Sequence, residues 1–294
     1  MKLSNIFLST LAVLLCCTAC SKDEESFKGK DADASLSIAV KAVGSAVTKG
    51  FHPNDENELA GEAKVNNLSV LVFDESGAQL IGYGWQATNS EGEASILNVP
   101  AMTMRAQIVI VSNTPENSLA GVTSYSDFES KLAQLADQSQ SNLVMSSPVI
   151  TTQAPLVKGD NYLGYASMGS ENINGIAEPV EITRLAARLD LVNVKTDFTK
   201  TLLRNRTVRV EEVTILNQST ASRFFSRDYW GVVMATGHLG NSDATALNRD
   251  IANGSPINDT PYVHYVMEND GSEAPTEIQV RATLLETDTY EAET

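Results

Sequence analysis

The sequence predicts a mainly β protein made of two tandem antiparallel β-sandwich domains with one or two short helices. Three observations carry that expectation. Short runs alternating between apolar and polar residues recur along the chain, separated by Gly, Asn, Asp and Pro clusters. Only one segment has a convincing helical signature. All three cysteines of the 294-residue chain, Cys16, Cys17 and Cys20, lie in its first twenty residues. The remainder has no disulfide to staple it, so its stability must come from hydrophobic cores, which suits domains of more than about a hundred residues.

Taken in order, the first strand is expected at residues 36–42, where Leu36, Ile38, Val40 and Ala42 alternate with smaller or polar residues. A polar loop from Gly44 to Gly61 follows, with Thr48-Lys49-Gly50 and the acidic run Asn54-Asp55-Glu56-Asn57-Glu58. Residues 65–73 form a strand that is nearly apolar on both faces at its end. Asp74-Glu75-Ser76-Gly77 turns the chain into residues 79–85, and Glu91-Gly92-Glu93 is a further turn. Residues 105–113 read as a central strand by their β-branched content. The helical signature comes next: Ser126-Asp127-Phe128-Glu129 has the form of a capping box. Phe128, Leu132, Leu135 and Ala136 then fall on one helical face, for packing on a sheet edge. Residues 181–191 read as a single two-faced strand, with Thr183, Leu185, Ala187, Leu189 and Leu191 on one side and Arg184, Arg188 and Asp190 on the other. Strand-like runs follow at residues 208–216, 230–234, Tyr262–Met267 and Glu277–Leu285. The break between the sandwiches is placed at Glu178-Pro179.

The beginning of the chain has its own logic. Met1-Lys2 and the apolar residues 6–17 form the charged and hydrophobic regions of a secretory signal, too short to span a bilayer. Thr18-Ala19 leads into Cys20, and the run resembles the lipobox of a bacterial lipoprotein precursor. That resemblance implies acylation of Cys20, which becomes the first residue of the mature protein. Ser21-Lys22-Asp23-Glu24-Glu25 is similar to the acidic export tag of Bacteroidetes-type lipoproteins, which implies display on the outer face of the outer membrane. The resulting map is a signal at residues 1–19, a disordered tether at 20–34, an N-terminal sandwich at 35–179 and a C-terminal one at 180–294.

Composition excludes several function classes. The full chain has a net charge of −16; loss of Lys2 with the signal leaves 20 basic against 37 acidic residues, or −17. No basic stripe is available for phosphates, so nucleic acid is not an expected partner, and membrane attachment falls to the acyl chains on Cys20. The three histidines, His52, His238 and His264, have no metal-ligand spacing. No nucleophile elbow, phosphate-cradling glycine loop or His-Glu-x-x-His occurs. The sequence calls for no cofactor, metal or catalytic residue. Calcium in the acidic residues 54–58 lacks EF-hand spacing.

Several segments together resemble the fimbrillin family, the subunits of Bacteroidetes-type fimbriae: residues 64–74, ending Leu71-Val72-Phe73-Asp74; Ile108-Val109-Ile110-Val111-Ser112-Asn113; residues 182–190; and Tyr265-Val266-Met267-Glu268-Asn269. None is specific alone; their order behind a lipoprotein signal is. The resemblance covers most of residues 36–285 and implies two transthyretin-like sandwiches, location in the fimbrium, and assembly with other fimbrial subunits by donor-strand exchange. In that scheme a first strand is cut away by a trypsin-like protease, and an incoming strand from another subunit fills the exposed groove. Leu36, Ile38 and Val40 would mark the removable strand. Burying them stabilises by about 1.5–3 kcal/mol each, which the incoming strand must replace.

The chain departs from the family pattern twice. Stalk subunits carry arginine at the cut, whereas no arginine lies between Cys20 and Arg105 here, and Lys49 is the only basic residue between Gly44 and Gly61. Either a lysine-tolerant protease acts at Lys49, or the subunit stays uncut as an anchor or accessory piece. At the other end, no apolar alternating segment follows Leu285, so the chain reads as truncated, or else Glu277–Leu285 serves as donor strand. A competing reading is a surface binding module for glycan or host protein, built on Tyr83 with Trp85 or Tyr229 with Trp230, although alternation also permits a core or groove role for the first pair. A hydrolase using paired carboxylates is the third reading, and the weakest, because 37 carboxylates will always supply some pair.

Overall fold

The computed structural model describes residues 32–43, 59–167, 172–191, 193–224, 233–234, 239–242, 244–255, 262–269, 271 and 274–285. Cys20, Lys49, His52, residues 54–58, Tyr229, Trp230, His238 and the segment after Leu285 lie outside the described residues.

The first half contains β1 (Ala34–Val43), β2 (Lys64–Asp74), β3 (Leu80–Glu91), β4 (Glu93–Ala101), β5 (Ala106–Ser112), helix α1 (Tyr125–Glu129), β6 (Leu132–Gln134), β7 (Met145–Ser146), β8 (Ile150–Thr151), β9 (Gly159–Leu163) and β10 (Val180–Arg184). The second contains β11 (Ala186–Leu191), β12 (Thr207–Leu216), β13 (Gln218–Ser219), β14 (Ala221–Arg223), β15 (Val233–Met234), β16 (Leu239–Gly240), β17 (Thr245–Ala252), β18 (Tyr262–Met267) and β19 (Glu277–Leu285).

Nine strands of the first half form one sheet, ordered β3-β2-β5-β7-β10-β1-β4, with β8 on β5 and β9 on β1. Its two ends enclose a common core: Leu68, Val70 and Val72 of β2 and Ile108 and Ile110 of β5 share it with Leu36, Ile38 and Val40 of β1 and Ile96 and Val99 of β4. Strands β2 and β5 are apolar on both faces because the other face is also covered. Leu71, Phe73, Val109 and Val111 pack there with Tyr125 and Phe128 of α1 and with Phe224. Among the named strands the pairings are antiparallel except those of β1 with β9 and β10, which are parallel. Alternation alone does not disclose strand direction.

In the second half, β11-β18-β13-β16 and β17-β12-β19 form two sheets. Val213, Ile215 and Tyr262 make their shared core, with Leu189, Leu191, Leu247 and Val266 packed around it. A small third sheet, β15-β14-β6, joins the halves, since β6 precedes β10 in the chain and pairs with β14. Edge strand β19 leaves Ile278, Val280 and Leu284 nearly half exposed.

Two expectations are corrected. The helix is only Tyr125–Glu129, and its cap is Ser124, whose hydroxyl accepts from the Asp127 N–H at 3.1 Å. Asp127 in turn accepts from the N–H of Thr123, the residue before the cap, so the capping bonds sit two residues earlier than Ser126 and Glu129 suggest. Ser130 bonds back to the Asp127 carbonyl and ends the helix. Leu132–Gln134 then takes backbone partners from β14, a ladder that outweighs weak helix propensity.

The second correction concerns residues 181–191, which form two strands rather than one. The chain leaves the first sheet at Leu185, whose N–H bonds to the Val144 carbonyl, and enters another as β11. Leu185 and Ala186 are both buried, so the alternation slips by one residue there. One stretch thereby feeds three cores: Ile182 the first, Leu185 the second, Leu189 and Leu191 the third.

Candidate functional site

The strand singled out from sequence, β1, lies across the first sheet like a bridge. One edge pairs with β4 from Ala34↔Ala101 to Lys41↔Glu93. The other edge is shared by two strands: β9 takes residues 34–38 and β10 takes residues 40–43. Leu36, Ile38 and Val40 are all at 0% exposure. The structure therefore brings the three predicted side chains together in one apolar trough.

Polar contacts fix both ends of the strand. The Asp33 carboxylate accepts from the Thr103 N–H at 2.8 Å, which holds its pKa below the usual carboxylate value. The Asp33 carbonyl accepts from the Gly159 N–H at 3.0 Å. The Ser35 hydroxyl donates to Asp160 at 2.6 Å, and the Asn161 amide donates to the Ser35 carbonyl at 3.1 Å. At the far end the Ala42 N–H donates to the Gly92 carbonyl at 2.7 Å. Gly164 explains itself by close approach: a Cβ there would stand 2.7 Å from the Ala39 carbonyl oxygen, and its φ is +86°.

Past the loop that carries Lys49, the chain re-enters the described structure and meets the second half of the molecule. Glu62 is 1% exposed. Its carboxylate accepts from Arg188 at 2.6 Å, from the Tyr265 hydroxyl at 2.8 Å and from the Leu59 N–H at 3.0 Å, with Arg184 at 3.6 Å. Burial, reinforced by the adjacent carboxylate, pushes the Tyr265 phenol above its ordinary pKa. This cluster ties the entry to β2 onto β11 and β18. Nothing in the sequence singled it out, because Glu62 is one acidic residue in an acidic loop and its partners are more than 120 positions away.

The aromatic candidates fare differently. Tyr83 is buried and Trp85 half-buried, both packed against the second core, so they form no exposed platform. Strand β19 is laddered along its length to β12, and Arg281 bonds Glu211 and Glu212 on that partner. A donor role would require breaking that ladder. Among the described residues no group of three or more His, Cys, Asp or Glu side chains is placed to hold a metal ion.

Residues 34–184 match the family model of the major fimbrial subunit protein FimA, and residues 185–294 match the C-terminal domain of the Fim1C-like fimbrium tip subunit. This chain belongs to the fimbrial subunit family. A Parabacteroides distasonis protein carrying the name fimbrium tip subunit Fim1C is 46% identical over 295 residues, covering 99% of this chain and 78% of that relative. A Porphyromonas gingivalis major fimbrium subunit, FimA type-2, is 26% identical over 92% of this chain and 68% of its own. Among solved structures, a P. distasonis protein described as a cell adhesion protein superposes with a TM-score of 0.81 at 45% identity, over 88% of this chain and 78% of that one. The P. gingivalis fimbrilin FimA shares the fold at 18% identity, with a TM-score of 0.59 over 87% and 73% of the two chains. The chain is thus a subunit of a cell-surface appendage or a cell adhesion protein, with the β-sandwich architecture of its family. The model boundary at residues 184 and 185 coincides with the passage from β10 to β11.

Proposed function

We propose that this chain is a structural or accessory subunit at or near the tip of a surface fimbrium, joined to its neighbours by strand exchange at the bed of β1 and supporting adhesion. The observation that carries the reading is the burial of β1: the first of the described strands fills a trough whose walls all come from later sequence. Such a strand can be withdrawn without cutting any other described element, and the bed it leaves has unpaired backbone groups and apolar pockets that call for another strand. The tip assignment rests on the Fim1C-like model over the second half and on the relative of that name. In the precursor, Cys20 holds the chain to the outer membrane through its acyl groups, and a cut after Lys49 releases anchor and β1 together. The Glu62 cluster lies beyond that cut, so it remains to hold the two halves together.

The test is limited trypsin treatment of the chain from residue 21 onward, with mass spectrometry and native gels. One early cut after Lys49 followed by oligomer ladders supports the reading. An uncut loop with a persistent monomer contradicts polymerisation.

A further inference from the structure

Among the described strands β9 ladders only with β1, its one other backbone pairing being a single parallel bridge from Tyr162 to Asn172. Its side chain Asn161 is 3% exposed and works in two directions. Toward its own segment it accepts from the Val157 N–H at 2.8 Å and donates to the carbonyls of Val157 at 2.8 Å and Gly159 at 3.1 Å. Toward β1 it donates to the Ser35 carbonyl at 3.1 Å. Neighbouring Asp160 accepts from the Ser35 hydroxyl, and Thr103, beyond the far end of β4, donates to Asp33.

The apolar trough cannot define register by itself. A strand reading Leu36, Ile38, Val40, Ala42 keeps every apolar side chain inward after a slip of two residues. The polar contacts at Asp33 and Ser35 remove that ambiguity, because the same slip pulls the carboxylate from the Thr103 N–H and the hydroxyl from Asp160. They also set direction, since a reversed strand would present this pair at the Gly92 end. We propose that Asn161, Asp160 and β9 form a register clamp. The clamp selects an extended segment running parallel to β9 with the pattern Asp-x-Ser-apolar-x-apolar-x-apolar, and β9 docks only onto such an occupant. The inference rests on the strand-exchange reading and names the chemistry of the strand that another subunit supplies to this bed.

Native-state hydrogen exchange on the full chain is the first test. Asn161→Ala should speed exchange of the β1 and β9 amides together by about five- to thirtyfold, the effect of losing one or two hydrogen bonds, with β2 and β5 unchanged. Ser35→Ala should give the same pattern at smaller amplitude, and it serves if the first variant does not fold. Faster exchange in β9 alone, or no change in either strand, overturns the clamp. In the second test, the chain from residue 21, cut after Lys49, is offered synthetic peptides of residues 32–43: the natural sequence, one with Asp33 and Ser35 moved two positions along, and one in reversed order. The natural peptide should be held about tenfold more tightly than either alternative. Equal retention of all three overturns the clamp and leaves strand exchange standing. Retention of none by the cut chain overturns strand exchange, while the hydrogen-exchange result still decides whether β9 depends on β1.

Discussion

Replacing Glu62 with alanine is predicted to loosen the two halves of the molecule from each other. The side chain is 1% exposed and bonds Arg188 at 2.6 Å and the Tyr265 hydroxyl at 2.8 Å, with Arg184 at 3.6 Å. Breaking a buried charge cluster by removing one partner costs about 3–5 kcal/mol, because the remaining charge is left without compensation. The arginine side chains here retain 13% and 19% exposure, and Arg188 keeps its 2.9 Å bond to Asp190. Those features place the expected loss lower, at about 2–3 kcal/mol. At about 2–4 °C per kcal/mol for a chain of this size, the melting temperature should fall by roughly 4–12 °C. Glu62→Gln should lose less, since its carbonyl still accepts a hydrogen bond. The assay is thermal and urea unfolding of Glu62→Ala, Arg188→Ala and the double variant as a cycle. Additive effects, or a Glu62→Ala melt within a degree of the parent, would refute the argument that these side chains act as one interdomain contact.

Other consequences follow from the same structure. Ile38→Ala should destabilise the first sandwich by about 2–5 kcal/mol, read by urea unfolding, because the side chain is fully buried in the trough. Gly164→Ala should cost more than about 1 kcal/mol in the same assay, since its Cβ meets the Ala39 carbonyl oxygen at 2.7 Å and φ is positive. His264 is held below its ordinary pKa of 6.5 by burial, so the folded state binds this proton less readily than the unfolded chain. Its contribution is present above pH 6.5 and is lost as pH falls through the folded value. Urea midpoints from pH 8 to 5 should therefore decline less steeply in His264→Gln than in the parent.

Much of the architecture was legible because alternation reports directly on burial. The trough residues of β1 and the doubly covered strands β2 and β5 are continuous apolar or alternating runs, and no distant partner changes how they read; β19 alternates as well, yet its apolar residues stay nearly half exposed. What stayed hidden depended on partners far along the chain. Residues 132–134 have helical spacing, yet β14, almost ninety positions later, supplies a ladder. The alternation in residues 181–191 conceals a slip at Leu185, because that side chain belongs to a core the local pattern does not reveal. The parallel direction of β1 could not be read from either of its neighbours. For the candidate site, the apolar trough was visible in the sequence, while Asn161 and Glu62 were not: one polar residue in an irregular or acidic stretch carries no sign of what it will meet.

The central claim, that β1 is an exchangeable strand, is tested most directly by locking it. Residues Ala39 and Ser95 are register partners on β1 and β4, and the chain has no cysteine after Cys20. The chain from residue 21 carrying Ala39→Cys and Ser95→Cys is cut after Lys49 and mixed with a labelled peptide of residues 32–43. Uptake is then measured by native mass spectrometry with the disulfide formed and reduced. The account predicts one peptide bound per chain after reduction and none while the disulfide holds. Equal uptake in both states, or no uptake after reduction, would contradict it.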